Sequence, residues 1–348
     1  MDNFLLFIDS VQQFFTIVVA TITPHSDNLF RFIAAAVMAA SPLLFGTVGE
    51  ILTEKSGNLN LGVEGMMFMG GAGGLAGAYF YEQMSGNPIG LVSVLVAILC
   101  AFLSAALGAA IYAVLCIGFR ANQNVTGLAL TMFGVGVGNF VGEALGKAAG
   151  GYVTISSAAK AVYAARLPLG GIPVLGPLLF SYNFVTYLAF FIAIFLVFFF
   201  KKTKGGLRLR AVGEDPSTAA SAGIKVNRSK YLATILGGGL TGLGGLYIVM
   251  IQNNGVWVHN AISGKGWISV ALVIFVLWSP GRAMWGSVVF GALSVLRLYY
   301  PMGGESLIPL YDVLPYLATV AVLIFVSRSK SNSLRPPAAL GISEQAER

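Results

Sequence analysis

Long apolar windows separated by short polar segments make up most of this 348-residue chain. They lie at residues 29–49, 62–82, 90–118, 125–146, 183–200, 231–251, 266–278, 284–299 and 315–327. Because a helix needs roughly 20 residues to cross a bilayer, these nine windows predict nine transmembrane helices. Residues 4–23 form a tenth apolar stretch, but Asp9, Gln12 and Gln13 fit an interfacial helix as well as a span. The pattern therefore predicts an all-α polytopic membrane protein with nine or ten spans.

Composition supports a membrane protein and argues against other classes. Hydrophobic residues make up 56% of the chain and charged residues 10%, whereas soluble domains carry about 25% charged residues. The net charge of +7 is compatible with nucleic-acid binding, but the basic residues lie between apolar spans instead of along one face. We therefore expect membrane lipid around the chain and no nucleic-acid partner.

Lysine and arginine residues indicate the orientation of the chain, because cytoplasmic loops are enriched in them. With a cytoplasmic C-terminus, 15 of the 21 basic residues fall in inner loops and six, including Lys265, fall outside. The predicted organisation is an N-terminal segment 1–28, a transmembrane domain 29–327 with a long inner loop 201–230, and a tail 328–348. The tail is charged and contains two consecutive prolines, so we expect it to be disordered and cytoplasmic.

Two glycine-rich stretches resemble each other. "GGAGGLAGAY" at 70–79 and "GGLTGLGGLY" at 238–247 are identical at six positions with a constant offset. Both would run from the inside to the outside in the predicted topology, which is compatible with two parallel repeats of the kind found in transporters. Glycine is so frequent in this chain that chance similarity is the alternative explanation.

The sequence contains no clear catalytic centre. His25 and His259 are far apart, and no spacing suggests a metal site or a nucleophile with its base. The stretch "SGKGW" at 263–267 lacks the full Gly-x-x-x-x-Gly-Lys-Ser/Thr pattern whose backbone amides bind phosphate. We therefore expect a chain that is not an enzyme and binds no cofactor. Any ATP-driven work would come from another subunit.

The inner loop 201–230 contains a predicted short helix. Asp215 is a good N-cap, and Pro216 suits the first helical position because its missing amide hydrogen is not needed there. Residues 217–222 make about two turns, and Gly223 can end the helix in the left-handed conformation. One interpretation is a solvated connector. The other is a docking helix whose small alanine and serine side chains enter a groove of a partner.

Three stretches resemble the membrane permease subunits of bacterial ABC importers, in the branch that handles simple sugars and nucleosides. "GEILTEKSGNLNLGVEGMMFMGG" at 49–71 resembles the signature segment of that branch. "LRAVGEDPSTAASAGI" at 209–224 resembles its ATPase-contacting coupling helix. "GKGWISVALVIFVLWSP" at 264–280 is similar to the late span of the nucleoside-type permeases. The resemblance implies that the ATPase is coupled through Gly213, Glu214, Asp215, Pro216, Ala219, Ala220 and Gly223.

The resemblance also implies a location and partners. The chain would be a multi-pass protein of the bacterial inner membrane, and a second, paralogous permease would complete the substrate path. Cytoplasmic ATPases would bind ATP and magnesium, and an extracytoplasmic binding protein would deliver a nucleoside near the outer loop 147–182. A simple sugar is the alternative substrate. The alternative class is an ion-coupled secondary transporter that uses Glu64 and Glu143, in which a coupling helix would be superfluous.

Polar residues at the inner side are candidates for the substrate path or for contacts between helices. Glu54 and Lys55 lie in a predicted inner turn, where simple solvation is favoured over a role in positioning the ATPase. Asn60 is a candidate cap for the next helix. Glu64 would lie in the first turn of that helix, where the dipole favours an anion. Since a carboxylate is costly in lipid, Glu64 would face the path, another helix or the surface. The candidates for the substrate path are Asn58, Asn60, Glu64, Asn139 and Trp267.

Further polar and aromatic residues are expected near the membrane interfaces. Glu143 and Lys147 are four residues apart with the acid first, which predicts a local ion pair near the outer rim. Trp267 and Trp278 fit the aromatic belts at opposite interfaces. For Trp267, stacking on a nucleobase is the alternative interpretation.

Overall fold

The structure is a computed structural model that describes residues 26–166, 179–262, 264–300, 308–328 and 336–342. Within these residues the chain forms twelve α-helices and no extended strand, which confirms the predicted all-α fold. The helices are α1 Ser26–Glu54, α2 Val63–Met84, α3 Gly90–Ala113, α4 Gln123–Ala148, α5 Ser157–Ala164, α6 Phe184–Lys202, α7 Lys204–Glu214, α8 Pro216–Ser221, α9 Val226–Tyr247, α10 Lys265–Phe275, α11 Pro280–Tyr299 and α12 Ile308–Arg328.

Eight of the nine predicted windows fall on helices of 19 residues or more, and the ninth, 266–278, falls on the 11-residue α10. In the described part of the chain, five helical segments are long and apolar enough to cross a membrane: Asn28–Glu54, Gly90–Gly118, Gln123–Ala148, Phe184–Lys202 and Val226–Gln252. Two of these include a π-helical turn, which extends α3 to Gly118 and α9 to Gln252. The predicted N-terminal segment 1–28 lies outside the described residues except for its last three.

The centre of the bundle is a contact between the backbones of α2 and α9. A β-carbon on Gly70 would clash with the backbone of Gly242, and one on Gly245 would clash with the carbonyl oxygen of Met67. A β-carbon on Gly238 would meet the Met66 side chain, and one on Gly74 would meet that of Leu246, so the contacts advance in the same direction and α2 and α9 run parallel. Both helices carry the glycine-rich stretches that resemble each other. Duplication of these stretches stays a prediction, but their glycines do permit close packing.

One membrane crossing is half irregular and half helical. After α9 the chain forms an antiparallel bridge between Val256 and Thr154, and residues 257–262 form neither a helix nor a strand. The next helix, α10, has only 11 residues. These 11 residues span about 16 Å at 1.5 Å per residue. At the other end of α10, Leu277 and Trp278 adopt positive φ angles and break the helix before α11. The single helix predicted over 266–278 is therefore shorter than expected.

This broken crossing corrects the predicted position of Lys265. The residue was assigned to the outside, but it is the first residue of α10 and follows Gly264, whose amide contacts Glu64 in the first turn of α2. From there α10 leads to Trp278, which contacts Glu54 at the inner end of α1. Lys265 therefore lies within the membrane-spanning part, and the length of α10 separates it from the inner surface.

The C-terminal tail contains a segment that packs on the inner loops. The whole tail 328–348 was predicted to be disordered, but the structure describes residues 336–342 as a turn. The amide of Ala339 donates to the carbonyl oxygen of Gly213 at 3.0 Å. The amide of Gly341 donates to the carbonyl oxygen of Gly57 at 3.4 Å. The tail differs from the prediction here because its backbone amides have acceptors on the inner loops.

Candidate functional site

The polar segment between α1 and α2 is buried. Asn58 and Asn60 are each 1% exposed. The Asn58 side-chain amide donates to the Thr234 hydroxyl at 3.0 Å. The backbone and side-chain amides of Asn60 donate to the two carboxylate oxygens of Glu50 at 3.2 and 3.0 Å. These asparagines therefore fix the chain between α1 and α9, and their predicted part in the substrate path stays a prediction.

Asn60 organises the turn before α2 in a way that differs from the predicted cap. Its side-chain oxygen accepts from the amide of Gly62 at 2.9 Å, and Gly62 itself is the N-cap, without a side-chain hydrogen bond. The Gln123 side chain accepts from the amide of Leu59 at 2.6 Å, which ties the same segment to the start of α4. Side chains from three helices thus hold this short loop in one conformation.

Glu50 is central to the inner network, although no motif in the sequence pointed to it. It is fully buried on α1, and both of its carboxylate oxygens accept hydrogen bonds from Asn60. The only signal for it was an acidic residue inside an apolar run, "LLFGTVGEIL". Since a buried carboxylate is costly unless it is hydrogen-bonded, such a residue indicates a polar contact elsewhere in the chain.

Glu54 is buried, in contrast to the solvation predicted for it. Its side chain is 3% exposed, and its carboxylate accepts a hydrogen bond from the indole N–H of Trp278. Lys55, the next residue, is half-buried. Burial, and then the neighbouring Arg210 guanidinium, lower the pKa of Lys55 from its ordinary value. The inner turn is therefore part of the packed protein, because α10 returns to it.

Glu64 joins α2 to the start of α10. One carboxylate oxygen accepts from the amide of Gly264 at 2.7 Å, and the other accepts from Gly266 at 2.7 Å and Trp267 at 3.3 Å. The side chain is 4% exposed. This is the geometry of an anion bound at a helix N-terminus, where free amides and the helix dipole both favour negative charge. The predicted contact with another helix is present, and the predicted place of Glu64 on the substrate path stays a prediction.

A second polar cluster lies towards the outer side and is exposed. The Glu143 carboxylate contacts Nδ1 of His259 at 2.6 Å, and the two side chains are 50% and 61% exposed. One helical turn away, the Asn139 amide donates to the side-chain oxygen of Asn260 at 2.8 Å. The Asn260 backbone amide donates in return to Asn139 at 3.2 Å. These contacts attach the irregular segment after α9 to α4.

The outer cluster and α10 also correct two sequence-based expectations. Glu143 pairs with His259 instead of the predicted Lys147, because the irregular segment brings His259 alongside α4. Trp267 follows the Glu64 contact, within the membrane-spanning part instead of at an interface, and it is 37% exposed. Trp278 lies at the inner end, as predicted, but it is buried.

The short helix α8 has the predicted local structure. The Asp215 carboxylate accepts from the amides of Ser217 at 2.9 Å and Thr218 at 3.0 Å, and Pro216 occupies the first position. Gly223 has a φ of +78°, the left-handed conformation that ends the helix. Hydrogen bonds from the Thr218 and Ser217 side chains hold the pKa of Asp215 below its usual range. The cap therefore stays ionised near neutral pH.

The seven residues predicted to contact the ATPase divide into three groups by exposure. Gly213 and Ala219 are buried, and a β-carbon on Gly213 would clash with the carbonyl oxygen of Lys55. Pro216 is half-buried. The exposed members are Glu214, Asp215, Ala220 and Gly223. One face of α8 is thus exposed, while Gly213, at the end of α7, packs on the turn after α1.

Comparison with known protein families decides the class of the chain. Residues 32–324 match the model of the permease component of the branched-chain amino acid transport system. The chain belongs to this permease family. The match covers the helices from α1 almost to the end of α12, and the resemblance predicted from the sequence is confirmed.

This permease is similar to several named transporter subunits. It is 35% identical over 333 residues to the "Putative glucose ABC transporter permease protein TsgC13" of Haloferax volcanii, covering 88% of this chain and 94% of the relative. It is 32% identical over 310 residues to the guanosine ABC transporter permease protein NupQ of Bacillus subtilis, covering 85% and 92%. It is 30% identical over 303 residues to the nucleoside ABC transporter permease protein NupC of Lactococcus lactis, covering 85% and 92%.

Family and helices together establish the general role of the permease. It is a multi-pass protein of the inner membrane and a member of the ABC-type permease family, whose subunits associate in general with an ATPase and a substrate-binding protein. Its relatives are permeases for nucleosides and for a sugar.

Proposed function

We propose that this chain is the transmembrane permease subunit of an ATP-driven importer for nucleosides. The observation that carries the proposal is α8, a helix capped at both ends whose outer face, with Ser217, Ala220 and Ser221, is exposed. Cytoplasmic ATPases, which bind ATP and magnesium, would dock on residues 213–223. A second, paralogous permease would complete the path, and an extracytoplasmic protein would deliver the substrate.

The contacts behind α8 provide a route by which movement of an ATPase reaches the membrane. Gly213, just before α8, packs directly on the carbonyl oxygen of Lys55. The turn at Lys55 continues into the buried segment 58–62, which leads to Glu64 and hence to the amides at the start of α10. Because each step is a backbone contact or a buried hydrogen bond, a displacement of α8 would be passed on instead of being absorbed by mobile side chains.

Two features support a nucleoside as the substrate. The relatives NupQ and NupC are named for guanosine and nucleoside transport. The half-exposed Trp267 offers an aromatic face on which a base can stack, with the paired amides of Asn139 and Asn260 further out. The similarity to TsgC13 favours a simple sugar as the second candidate, since hydroxyl groups suit the same amides.

The test combines purification with uptake, using one variant on each side of the membrane. Ala220→Arg places a long charged side chain on the exposed face of α8, and Gly86→Arg does the same in the exposed outer loop between α2 and α3, where an added β-carbon meets nothing within 4 Å. We expect Ala220→Arg to lose the co-purifying ATPase and at least tenfold of guanosine uptake, because a docking helix of small residues tolerates no bulky one. We expect Gly86→Arg to retain both.

Three outcomes contradict parts of the proposal. Retention of the ATPase and of uptake by Ala220→Arg would rule out α8 as the docking helix. Purification of the wild-type chain without any ATPase in several mild detergents would favour the ion-coupled class instead. Uptake of glucose that excess guanosine does not reduce would identify the chain as a sugar permease.

A further inference from the structure

We propose that the permease binds an anionic phospholipid of the cytoplasmic leaflet in a groove between α6, α7 and α9. The groove has a volume of about 660 Å³ and lies where the inner ends of α6 and α9 meet α7. Phe199 of α6 and the residues at the start of α9 form its walls. Gly223, one of the residues proposed to contact the ATPase, also lines the groove, but Ser217, Ala220 and Ser221 on the outer face of α8 do not, and the site does not depend on the proposed substrate.

One end of the groove is positively charged. Arg208 of α7, Lys225 before α9 and Arg228 in the first turn of α9 line it, and all three side chains are exposed. No acidic residue lines the groove, and no acidic side chain of the described residues pairs with any of the three. A cluster of unpaired cations at the cytoplasmic membrane surface complements an anionic lipid headgroup.

The start of α9 adds backbone donors to these cations. Lys225 is the N-cap of α9 and makes no side-chain capping hydrogen bond. The first amides of a helix have no acceptor within the helix, and here the first turn, through Lys225, Arg228 and Ser229, borders the groove. An anion held by the three cations would therefore also lie near free amides at the positive end of the α9 dipole.

The other end of the groove is apolar and runs into the membrane. Arg228, Leu232 and Leu236 are four residues apart and form one stripe along α9, and Leu232 and Leu236 are 51% and 47% exposed. At 1.5 Å per residue, Leu236 lies about 12 Å deeper than Arg228. The groove thus matches a molecule that has both a charged head and an apolar chain. Neither a soluble phosphate nor an acidic protein segment combines the two.

The test is native mass spectrometry of the full chain in detergent, titrated with phosphatidylglycerol and with phosphatidylcholine of the same acyl chains. The triple variant Arg208→Gln, Lys225→Gln, Arg228→Gln removes the charged end. Each cation near the surface strengthens the binding of an anionic lipid about fivefold, so we expect the triple variant to bind phosphatidylglycerol about 100-fold more weakly. The matched control Lys201→Gln, Lys202→Gln, Lys204→Gln removes three exposed cations that do not line the groove, and we expect it to bind as the wild type does.

A second variant tests the apolar end without changing charge. Leu232→Gln with Leu236→Gln should weaken phosphatidylglycerol binding, because the acyl chain loses its apolar wall. All changed side chains are exposed, and elution volume and melting temperature verify the fold of each variant.

Several results would overturn the proposal. Equal weakening by both triple variants would show diffuse attraction to net charge, and no weakening by the groove variant would show that lipid binds elsewhere. Displacement of the lipid by glycerol phosphate at a similar concentration would identify a site for soluble phosphate. Loss of a co-purifying protein by the groove variant, with unchanged lipid binding, would identify a protein docking surface.

Discussion

Glu64 and Glu143 are two glutamates on neighbouring helices of the same membrane domain, and their surroundings differ. Glu64 is 4% exposed and accepts hydrogen bonds from three backbone amides of another helix. Glu143 is half-exposed and contacts one side chain, that of His259. A backbone amide at a helix start cannot rotate away from its acceptor, whereas an exposed side chain can. Glu64 is therefore part of the architecture, and Glu143 remains free to exchange its partner.

The same difference extends to the clusters around these two residues. In the inner cluster, Glu50 and Glu54 are buried and bound by Asn60 and Trp278. In the outer cluster the contacts are between exposed or half-exposed side chains, such as Asn139 and Asn260. Burial strengthens a hydrogen bond and makes its loss expensive, while water competes with an exposed one. We infer that the inner cluster is rigid and that the outer cluster is adjustable.

The largest effect is expected for removal of the Glu64 carboxylate. Glu64→Ala leaves three amides without their acceptor, and each buried unsatisfied group costs about 1–3 kcal/mol. The free energy of unfolding in detergent should fall by about 3 kcal/mol or more. The matched control is Glu143→Ala, which should lower it by about 1 kcal/mol or less because its pair is exposed. Equal losses in the two variants would remove the distinction between a fixed and an adjustable carboxylate.

A smaller loss is expected when the inner cluster loses one donor. Trp278→Phe keeps an aromatic side chain but removes the indole N–H that donates to Glu54, so a buried carboxylate loses a partner. Unfolding in denaturant should show a loss of about 1–3 kcal/mol. Trp285→Phe is the control, since that side chain is 54% exposed and contacts the Phe275 ring. If the two tryptophan variants unfold alike, aromatic packing rather than the hydrogen bond holds Trp278.

The smallest effect is expected in the outer cluster. A double-mutant cycle with Glu143→Gln and His259→Ala measures their coupling directly. Exposed pairs of this kind contribute about 1 kcal/mol or less, and the coupling should decrease further at high salt. A coupling energy that is larger than the loss of unfolding free energy in Trp278→Phe, and that does not decrease at high salt, would mean that this surface is buried in the assembled transporter.

The short helix α8 was predictable because every signal for it is local. Asp215, Pro216 and Gly223 lie within one short stretch, and each acts on the backbone of its immediate neighbours. The hydrophobic windows were predictable for a similar reason, since crossing a bilayer requires a run of apolar residues along the chain itself. Fold class and the local geometry of α8 therefore follow from the sequence.

Partners distant in the chain were not predictable. Glu54 was expected to be solvated because its neighbours form a polar turn, but its partner Trp278 comes from a different helix. Lys265 was placed outside because a hydropathy window does not reveal where the chain changes direction. The Glu64 carboxylate accepts hydrogen bonds from the amides at the start of α10 and so holds that start beside α2. The spacing rule for helices suggested Lys147 as the partner of Glu143, whereas the irregular segment after α9 supplies His259. In each case the decisive contact depends on tertiary structure.

The contact between the tail and the first inner turn has a consequence for the synthesis of the protein. Gly57 follows the first described helix, and Gly341, whose amide contacts it, follows the last. Gly213, which precedes α8, receives the amide of Ala339 from the same short segment. The ribosome makes residues 339–341 only after all twelve described helices. The surface beside α8 is therefore completed only after every described span has been made.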